Sequence, residues 1–260
     1  MADPMHQFQV DKVVDIPPVN VPGLGLIDLS ITNSTVAMMV AAVLVVLFFA
    51  VVTANPKVVP GRLQVVGEGM FGFIDDLAVG IIGPEGRAFF PYVFTLFIFL
   101  LAMNMLGMLT IFTATAQLAV ALTFALMTFA LVVIVGFAKC GFGFFKLFAP
   151  SGVPWYMLLF VTPIEVISFF LRPVTLSLRL FGNMLGGHVA MKVFAGFIVS
   201  LGGLAAAGGV AYLAYVAAIL AFGGVVALTA LEFLVAFLQA FVFAVLTCVY
   251  LNDAVHADHH

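Results

Sequence analysis

Five charged residues stand inside the two longest apolar runs of the chain, at about 161–202 and 210–251. They are Glu165, Arg172, Arg179, Lys192 and Glu232. An ionisable group inside a membrane is costly, and it usually faces the protein interior or a water-filled path. Charges at such positions therefore indicate a route for protons or other ions.

Helical geometry sorts these residues onto faces. Glu165, Arg172 and Arg179 are spaced by seven and share one face. Asn183, four residues beyond Arg179, stays close to that face. His188 follows Arg179 by nine residues, which turns it to the opposite face, about 13 Å further along the helix axis.

The second apolar run supplies a carboxyl group at a matching depth. Glu232 and Gln239 are seven residues apart and share a face. If Gln239 lies level with Arg179, Glu232 lies about 10 Å further out, at the depth of His188. A His–Glu pair can pass a proton near neutral pH, because histidine titrates at about pH 6.5. The alternative for Glu232 is a protonated glutamic acid that is hydrogen-bonded within the bundle and has no transport role.

This arrangement predicts two proton paths that are separated by a permanent cation. One path passes His188 and Glu232 from outside, and the other leaves inward past Glu165. Arg179 does not release its proton in a protein, so it blocks a direct leak between the paths. It can also favour the ionised form of a carboxylate on a passing partner. The chain has no obvious mid-membrane carboxylate of its own for such a shuttle, which implies a mobile partner.

The amino-acid composition shows what class of protein carries these charged groups. The 260 residues are 65% hydrophobic and 8% charged, with a mean hydropathy of +1.28, whereas soluble domains are about 45–50% apolar and about 25% charged. The chain is therefore an integral membrane protein, and a soluble or disordered chain is excluded.

A net charge of −3 implies no nucleic-acid partner. Cys140 and Cys248 form no disulfide framework or metal motif.

We predict an all-α membrane protein with about five transmembrane helices, a surface amphipathic helix, and a long, steeply tilted final hairpin. The predicted segments are an N-terminal extramembrane segment (1–33), a first span (34–54), an amphipathic connection (55–88), a helical hairpin (89–137), a loop (138–160), the long hairpin (161–251) and a tail (252–260). Each run of the long hairpin would form about 60 Å of helix against a hydrocarbon core of about 30 Å, so it must break or tilt.

Basic residues set the expected orientation, because they are enriched in cytoplasmic loops. They follow the first and the third spans, at Lys57, Arg62, Arg87, Lys139 and Lys146. The N-terminus is then outside and the C-terminus inside. The N-terminal segment is acidic, so we do not interpret it as a targeting peptide. The histidine-rich tail, with His256, His259 and His260, is interpreted as solvated, with a weak metal site as the alternative.

Two sequence motifs resemble subunit a of the rotary F-type ATP synthase. The first is Pro-Val-Thr-Leu-Ser-Leu-Arg-Leu-Phe-Gly-Asn-Met at 173–184, and the second is Leu-Gln-Ala-Phe-Val-Phe-Ala-Val-Leu-Thr at 238–247. The resemblance implies that Arg179 is the essential arginine facing the rotor ring of c subunits, with Asn183 and Gln239 as its polar neighbours. Many bacterial members carry Glu where this chain has His188 and His where it has Glu232. The reciprocal arrangement is similar to the alphaproteobacterial and mitochondrial branch.

The resemblance also implies the partners and the cellular location of the protein. The expected partners are the c-ring, stator b-type subunits and membrane lipid, and no cofactor or metal is expected. The expected location is a bacterial inner membrane, with the mitochondrial inner membrane as second option. Two other functions would leave different signals in the sequence. A proton-coupled secondary transporter would be favoured by repeated halves, which are lacking. A quinone or haem subunit would need paired axial histidines, and only His188 lies within a span. No nucleotide-binding P-loop pattern is present, so we expect no catalytic site.

Overall fold

The computed structural model describes residues 11–15, 19–21, 25–27, 30–109, 113–148, 155–206 and 211–256. Its main elements are α1 (Asn33–Ala54), α2 (Arg62–Ile82), α3 (Gly86–Leu109), α4 (Leu118–Cys140), α5 (Trp155–Ala206) and α6 (Ala211–Val255). Five of these helices, all except α2, are long and apolar enough to cross a membrane. The fold class predicted from the sequence is confirmed.

Short strands precede the first span, in the segment that was predicted to be extramembrane. They are β1 (Lys12–Val14), β2 (Val19–Val21), β3 (Gly25–Ile27) and β4 (Ile31–Thr32). β1 pairs antiparallel with β4, and β2 pairs antiparallel with β3. α1 starts directly after β4, and the side chain of Thr32 accepts a hydrogen bond from the backbone N–H of Thr35. This N-cap satisfies one of the free N–H groups at the helix start.

The amphipathic helix α2 packs against α1, α3 and α6. Its buried residues recur at helical spacing, at Gly67, Ile74, Ala78 and Ile82. Glu68 and Asp76 lie on its exposed side. A Cβ atom at Gly67 would lie 2.8 Å from a methyl carbon of Val52 on α1, so the two helices approach closely there. The segment forms one continuous amphipathic helix of 21 residues, as predicted, and not a hairpin.

α3 and α4 both pack against α6, and the hydroxyl groups of Tyr92 on α3 and Thr128 on α4 are hydrogen-bonded to each other. α3 contacts α1, α2 and α6, and its inward residues Val93, Phe97 and Leu100 are almost fully buried. A short 3₁₀ helix, Ala114–Ala116, precedes α4. Gly141 ends α4 with φ of +54°, a left-handed conformation that favours glycine. A second 3₁₀ helix, Gly141–Phe148, follows.

The last two helices form the predicted long hairpin. α5 has 52 residues and continues through Pro163 and Pro173, and α6 has 45 residues. The prolines therefore do not break the run, which was the other predicted outcome. At 1.5 Å per residue the helices measure about 78 Å and about 68 Å, and such lengths require a steep tilt in a core about 30 Å thick. α5 begins before the predicted boundary at 161.

Segments predicted to lie on the inner side meet at one end of the bundle. Glu85, in the turn between α2 and α3, forms an ion pair with Lys139 in the last turn of α4. Sγ of Cys140 lies 3.5 Å from the backbone oxygen of Ala254 near the end of α6. α6 continues to Val255, so the helix extends into the segment from residue 252 that was predicted to be a solvated tail, and Cys140 contacts its last turn.

Candidate functional site

His188 and Glu232 meet between the two long helices. Nε2 of His188, on α5, lies 3.8 Å from Oε1 of Glu232, on α6. Both side chains are buried, with 8% and 4% of their surface exposed. The approach that was predicted from their matched depth is confirmed. A small side-chain rotation or one water molecule closes this distance, so a proton can pass between the two groups.

The glycine beside His188 makes room for the carboxyl group. A Cβ atom at Gly187 would lie 2.6 Å from Oε1 of Glu232 and 3.0 Å from its Cδ. Both separations are shorter than van der Waals contact, so a larger residue would displace the carboxyl group. The absence of a side chain at Gly187 therefore sets how closely α5 and α6 approach at this level.

A third polar residue, Thr113, joins the pair from the link between α3 and α4. Its Oγ1 lies 2.9 Å from Nε2 of His188, and its hydroxyl donates to the backbone oxygen of Gly107 at 3.2 Å. Thr113 is 3% exposed. The sequence showed only a short uncharged link here, because a lone threonine gives no periodic signal that would assign it to a site.

An open cavity adjoins Glu232. It measures about 190 Å³ and is lined by Asn183, Gly187, Leu228, Leu231, Glu232 and Val235. A water molecule takes up about 30 Å³ in the liquid, so this space holds several. Neither carboxyl oxygen of Glu232 has a hydrogen-bond partner within the described part of the chain. Asn183 and Glu232 therefore share one hydratable space between the long helices.

Further buried polar groups lie in the same half of the bundle. Asn104, on α3, is fully buried and donates from Nδ2 to the backbone oxygen of Ala236, one turn from Glu232. Its Oδ1 lacks a partner among the described residues, as do Oγ1 of Thr115 and Nε2 of Gln117. Buried polar atoms of this kind need water or a partner. We infer a hydrated region that extends from Glu232 towards the α3–α4 link.

Arg179 lies on a different side of α5 from His188. Its side chain is exposed, whereas His188 is buried, in agreement with the nine-residue spacing. Asn183 is exposed on the same side as Arg179. Among the residues that the structure describes, Arg179 makes no hydrogen bond or ion pair. Its apolar neighbours Val174 and Leu178 are 40% and 49% exposed, so the guanidinium stands on an open apolar face.

Gln239 is half-buried on α6, and no hydrogen bond joins it to Arg179. The exposed residues on the same helix include Leu231, Leu234 and Leu238, which are 41% to 55% exposed. α5 and α6 therefore both present large apolar side chains outward, on α5 beside the guanidinium of Arg179.

Glu165 belongs to a separate cluster nearer the inner ends of α5 and α6. Nη2 of Arg172 lies 3.8 Å from Oε1 of Glu165, and Nη1 donates to Oδ2 of Asp253 at 3.1 Å. The guanidinium also lies 4.8 Å from the ring centre of Tyr250. These contacts anchor α5 to the last turns of α6. Asp253 was assigned to the solvated tail, and its ionic partner could not be identified from the sequence.

The Glu85–Lys139 ion pair lies at this inner end as well. Lys139 donates a hydrogen bond to the carboxylate, which is the main reason that the pKa of Glu85 falls below its usual value of 4.5. The positive charges of Lys139 and His256 act in the same direction. Because hydrogen bonding and nearby cations favour the ionised carboxylate, this pair stays formed at neutral pH.

The described residues contain no group of three or more His, Cys, Asp or Glu side chains that could hold a metal ion. His259, His260 and Asp258, which carried the alternative of a weak metal site, lie outside the described residues. His256 lies at the end of the described chain, where its backbone N–H donates to the backbone oxygen of Asn252 at 3.0 Å.

The chain is similar, along almost its full length, to known proteins that share one name. A family model described as ATP synthase A chain matches residues 35–252. A protein of Hyphomonas neptunium named ATP synthase subunit a is 51% identical over 259 residues, which is 99% of this chain and 98% of the relative. Proteins of the same name from Mesorhizobium japonicum and Rhodopseudomonas palustris are each 48% identical, over 99% and 100% of this chain and 98% and 100% of the relative, respectively. These organisms are alphaproteobacteria, the branch that the His188–Glu232 arrangement indicated.

Proposed function

The chain belongs to the ATP synthase A chain family, and from that premise we propose that it is the proton-translocating stator subunit of the membrane sector of an F-type ATP synthase. It is a multi-pass protein of the bacterial inner membrane, since its relatives are bacterial and five helices can span a bilayer. The alternative of a proton-coupled secondary transporter is not supported, because the relatives carry the name of an ATP synthase subunit.

The outer half of the proton path is assigned to His188 and Glu232. Their separation of 3.8 Å and their burial support a relay that exchanges protons without contact with bulk water. The cavity of about 190 Å³ beside Glu232 connects this pair to Asn183, which lies on the open side of α5. A proton that reaches Glu232 from outside therefore has a hydratable route to the face where a partner can accept it.

Arg179 is the element that couples proton flow to a moving partner. A carboxyl group on a rotor subunit must be neutral while it faces lipid, because an isolated charge there is too costly. When it passes the fixed guanidinium, its ionised form is favoured and its proton leaves. The single observation that carries the proposal is that Arg179 is exposed on an apolar face, while the relay pair is buried between α5 and α6.

The inner half of the path is assigned to Glu165. It lies about 21 Å from Arg179 along the axis of α5, since fourteen residues separate them. Its ion pair with Arg172 places a carboxylate near the end of the bundle where the inner segments meet. Protons released on the inner side of Arg179 leave past this group, so the two half-paths do not join.

The partners follow from the surfaces. The exposed apolar faces of α5 and α6 around Arg179 suit the c-ring, and the exposed apolar side of α1 suits membrane lipid or stator b-type subunits. The chain is a non-catalytic channel subunit, and ATP is made elsewhere in the complex. It requires no cofactor and no metal for this role, because only protons are exchanged.

The test is Arg179→Ala in the complete ATP synthase, measured in inner-membrane vesicles. We expect coupled ATP synthesis and ATP-driven proton pumping to be abolished while the complex assembles. Arg179→Lys should be nearly as damaging, because an ammonium enclosed between this face and the rotor partner can lose its proton, whereas a guanidinium cannot. Arg62→Ala, which removes an exposed arginine at the start of α2, is the control and should pump normally. Normal pumping by an assembled Arg179→Ala complex would overturn the proposal.

A further inference from the structure

We propose that Thr113 is a positioning residue of the proton relay, which holds Nε2 of His188 towards Glu232 in both protonation states of the imidazole. This inference rests on the function proposed above, and it adds a residue from outside the long hairpin to the outer half of the path. The carrying observation is that one buried hydroxyl group contacts both His188 and a backbone carbonyl at the end of α3.

Two contacts fix the position of this hydroxyl. Oγ1 of Thr113 lies 2.9 Å from Nε2 of His188 and 3.2 Å from the backbone oxygen of Gly107. Gly107 is in the last turn of α3, where backbone carbonyls have no partner within the helix. The hydroxyl therefore caps a carbonyl of α3 and orders the histidine at the same time.

The hydroxyl has one hydrogen and two lone pairs, so the two contacts are linked. A carbonyl can only accept a hydrogen bond. While the Thr113 hydrogen points to Gly107, the hydroxyl oxygen can only accept from His188, which must then carry a proton on Nε2. When Nε2 is bare, the hydroxyl can turn its hydrogen to that nitrogen, and the imidazole ring stays in place.

The proton transfer breaks one bond, at Nε2 of His188, and forms one bond, at Glu232. In the transfer from His188 to Glu232, the Nε2 hydrogen turns from Oγ1 of Thr113 towards the carboxylate, the Nε2–H bond breaks and an O–H bond forms on the carboxylate, directly or through a water molecule. An imidazolium and a carboxylate become a neutral imidazole and a carboxylic acid. Thr113 bonds to the histidine before and after the step, so the ring does not rotate away from Glu232 between turnovers.

Thr113 contacts His188 from an element outside the long hairpin. Oε1 of Glu232 on α6 lies 3.8 Å from Nε2 of His188, and Lys192 is one turn further along α5. The link between α3 and α4 contributes hydroxyl and amide groups. Gly107 permits the close seating of Thr113, because a Cβ atom there would lie 2.5 Å from Cγ2 of Thr113.

Matched substitutions of Thr113 in the complete ATP synthase distinguish the effect of its hydroxyl group from the effect of its side-chain shape. Thr113→Val keeps the shape and loses the hydroxyl, whereas Thr113→Ser keeps the hydroxyl and loses a methyl group. We expect proton-driven ATP synthesis per assembled complex to fall about tenfold in Thr113→Val, the size of one hydrogen bond to a charged group. Thr113→Ser should remain close to the wild-type rate.

Thr128→Val is the control, because Thr128 is also buried and its hydroxyl lies 2.9 Å from that of Tyr92, away from the relay. It should synthesise ATP at the wild-type rate. If Thr113→Val does not assemble, Thr113→Ala and Thr113→Ser provide the same comparison, since they differ only in the hydroxyl group.

A wild-type rate in Thr113→Val, or equal loss in the valine and serine variants, would overturn the inference. His188→Ala, measured in parallel, separates this failure from that of the proposed function. Full ATP synthesis in His188→Ala would mean that the relay itself is wrong. If His188→Ala loses ATP synthesis while Thr113→Val keeps the wild-type rate, only the role assigned to Thr113 would be rejected.

Discussion

Nη1 of Arg172 donates to Oδ2 of Asp253 at 3.1 Å and ties the inner part of α5 to the last turn of α6. A negative charge at a helix C-terminus is unfavourable, because the helix dipole is negative there. The guanidinium offsets that charge and also holds Glu165, at 3.8 Å. One arginine therefore connects the candidate inner exit to the end of the hairpin.

This relationship predicts that Arg172→Ala destabilises the hairpin. The two side chains are 20% and 27% exposed, so loss of the cation leaves a partly buried carboxylate without its partner. We expect a cost of about 1–2 kcal/mol in stability, seen as a lower thermal dissociation temperature of the purified complex. Lys57→Ala, at an exposed loop position, should have no effect. The charge exchange Arg172→Asp with Asp253→Arg should recover part of the loss, and an exchange worse than both single variants would count against the pair.

The relay pair predicts a specific defect in Glu232→Gln. Glutamine keeps the size of the side chain and cannot exchange the proton, so proton-driven ATP synthesis should fall about a hundredfold while the complex assembles. ATP synthesis in inner-membrane vesicles gives the rate, and copurification of the subunits gives the assembly. Asp76→Asn, which alters an exposed acid on α2, is the control.

The same pair predicts that exchange of its members is better tolerated than either single change. His188→Glu combined with Glu232→His keeps one imidazole and one carboxyl group at the same place. We expect the double variant to synthesise ATP faster than either single variant, because each single variant has two like groups. A double variant no faster than the slower single variant would show that the two positions act independently.

Gly187→Ala should impair the relay although it replaces no titratable group. The added methyl group would lie 2.6 Å from Oε1 of Glu232, so the carboxyl group must move or the helices must separate. Overpacking of this kind costs about 1–3 kcal/mol, and we expect ATP synthesis to fall about tenfold. Gly196→Ala is the matched control on α5, because nothing lies within 4 Å of its Cβ position. Glu232→Asp, with its shorter side chain, should partly restore the Gly187→Ala variant.

The ion pair between Glu85 and Lys139 predicts a stability change in acid. The pKa of Glu85 is lower in the folded protein than its usual value of 4.5. The ion pair therefore stabilises the folded protein at neutral pH. This contribution is lost as the pH falls from about 4.5 through the lower pKa that Glu85 has in the folded protein. The thermal dissociation temperature should drop less in Glu85→Gln than in the wild type over this window. The effect should be small, because both side chains are about half exposed.

Much of the architecture follows from the amino-acid sequence. Long uncharged apolar runs specify the spans, and the mixed residues of 62–82 specify the amphipathic helix α2. Spacing along one helix also predicts faces: Arg179 and His188, nine residues apart, are exposed and buried, respectively. These features depend on periodicity within one helix, so they can be predicted without knowledge of its neighbours.

The tertiary structure decided which distant groups meet. Thr113, Asn104 and Asp253 had no sequence signal for a site, because a single polar residue in a link, a span or a helix end fits many environments. Their roles depend on where α3, α4 and α6 pack against α5. The 3.8 Å approach of His188 and Glu232 likewise depends on helix register, which Gly187 allows by removing one side chain from the contact. Local sequence sets the direction of a side chain, whereas the packing of whole helices sets what it touches.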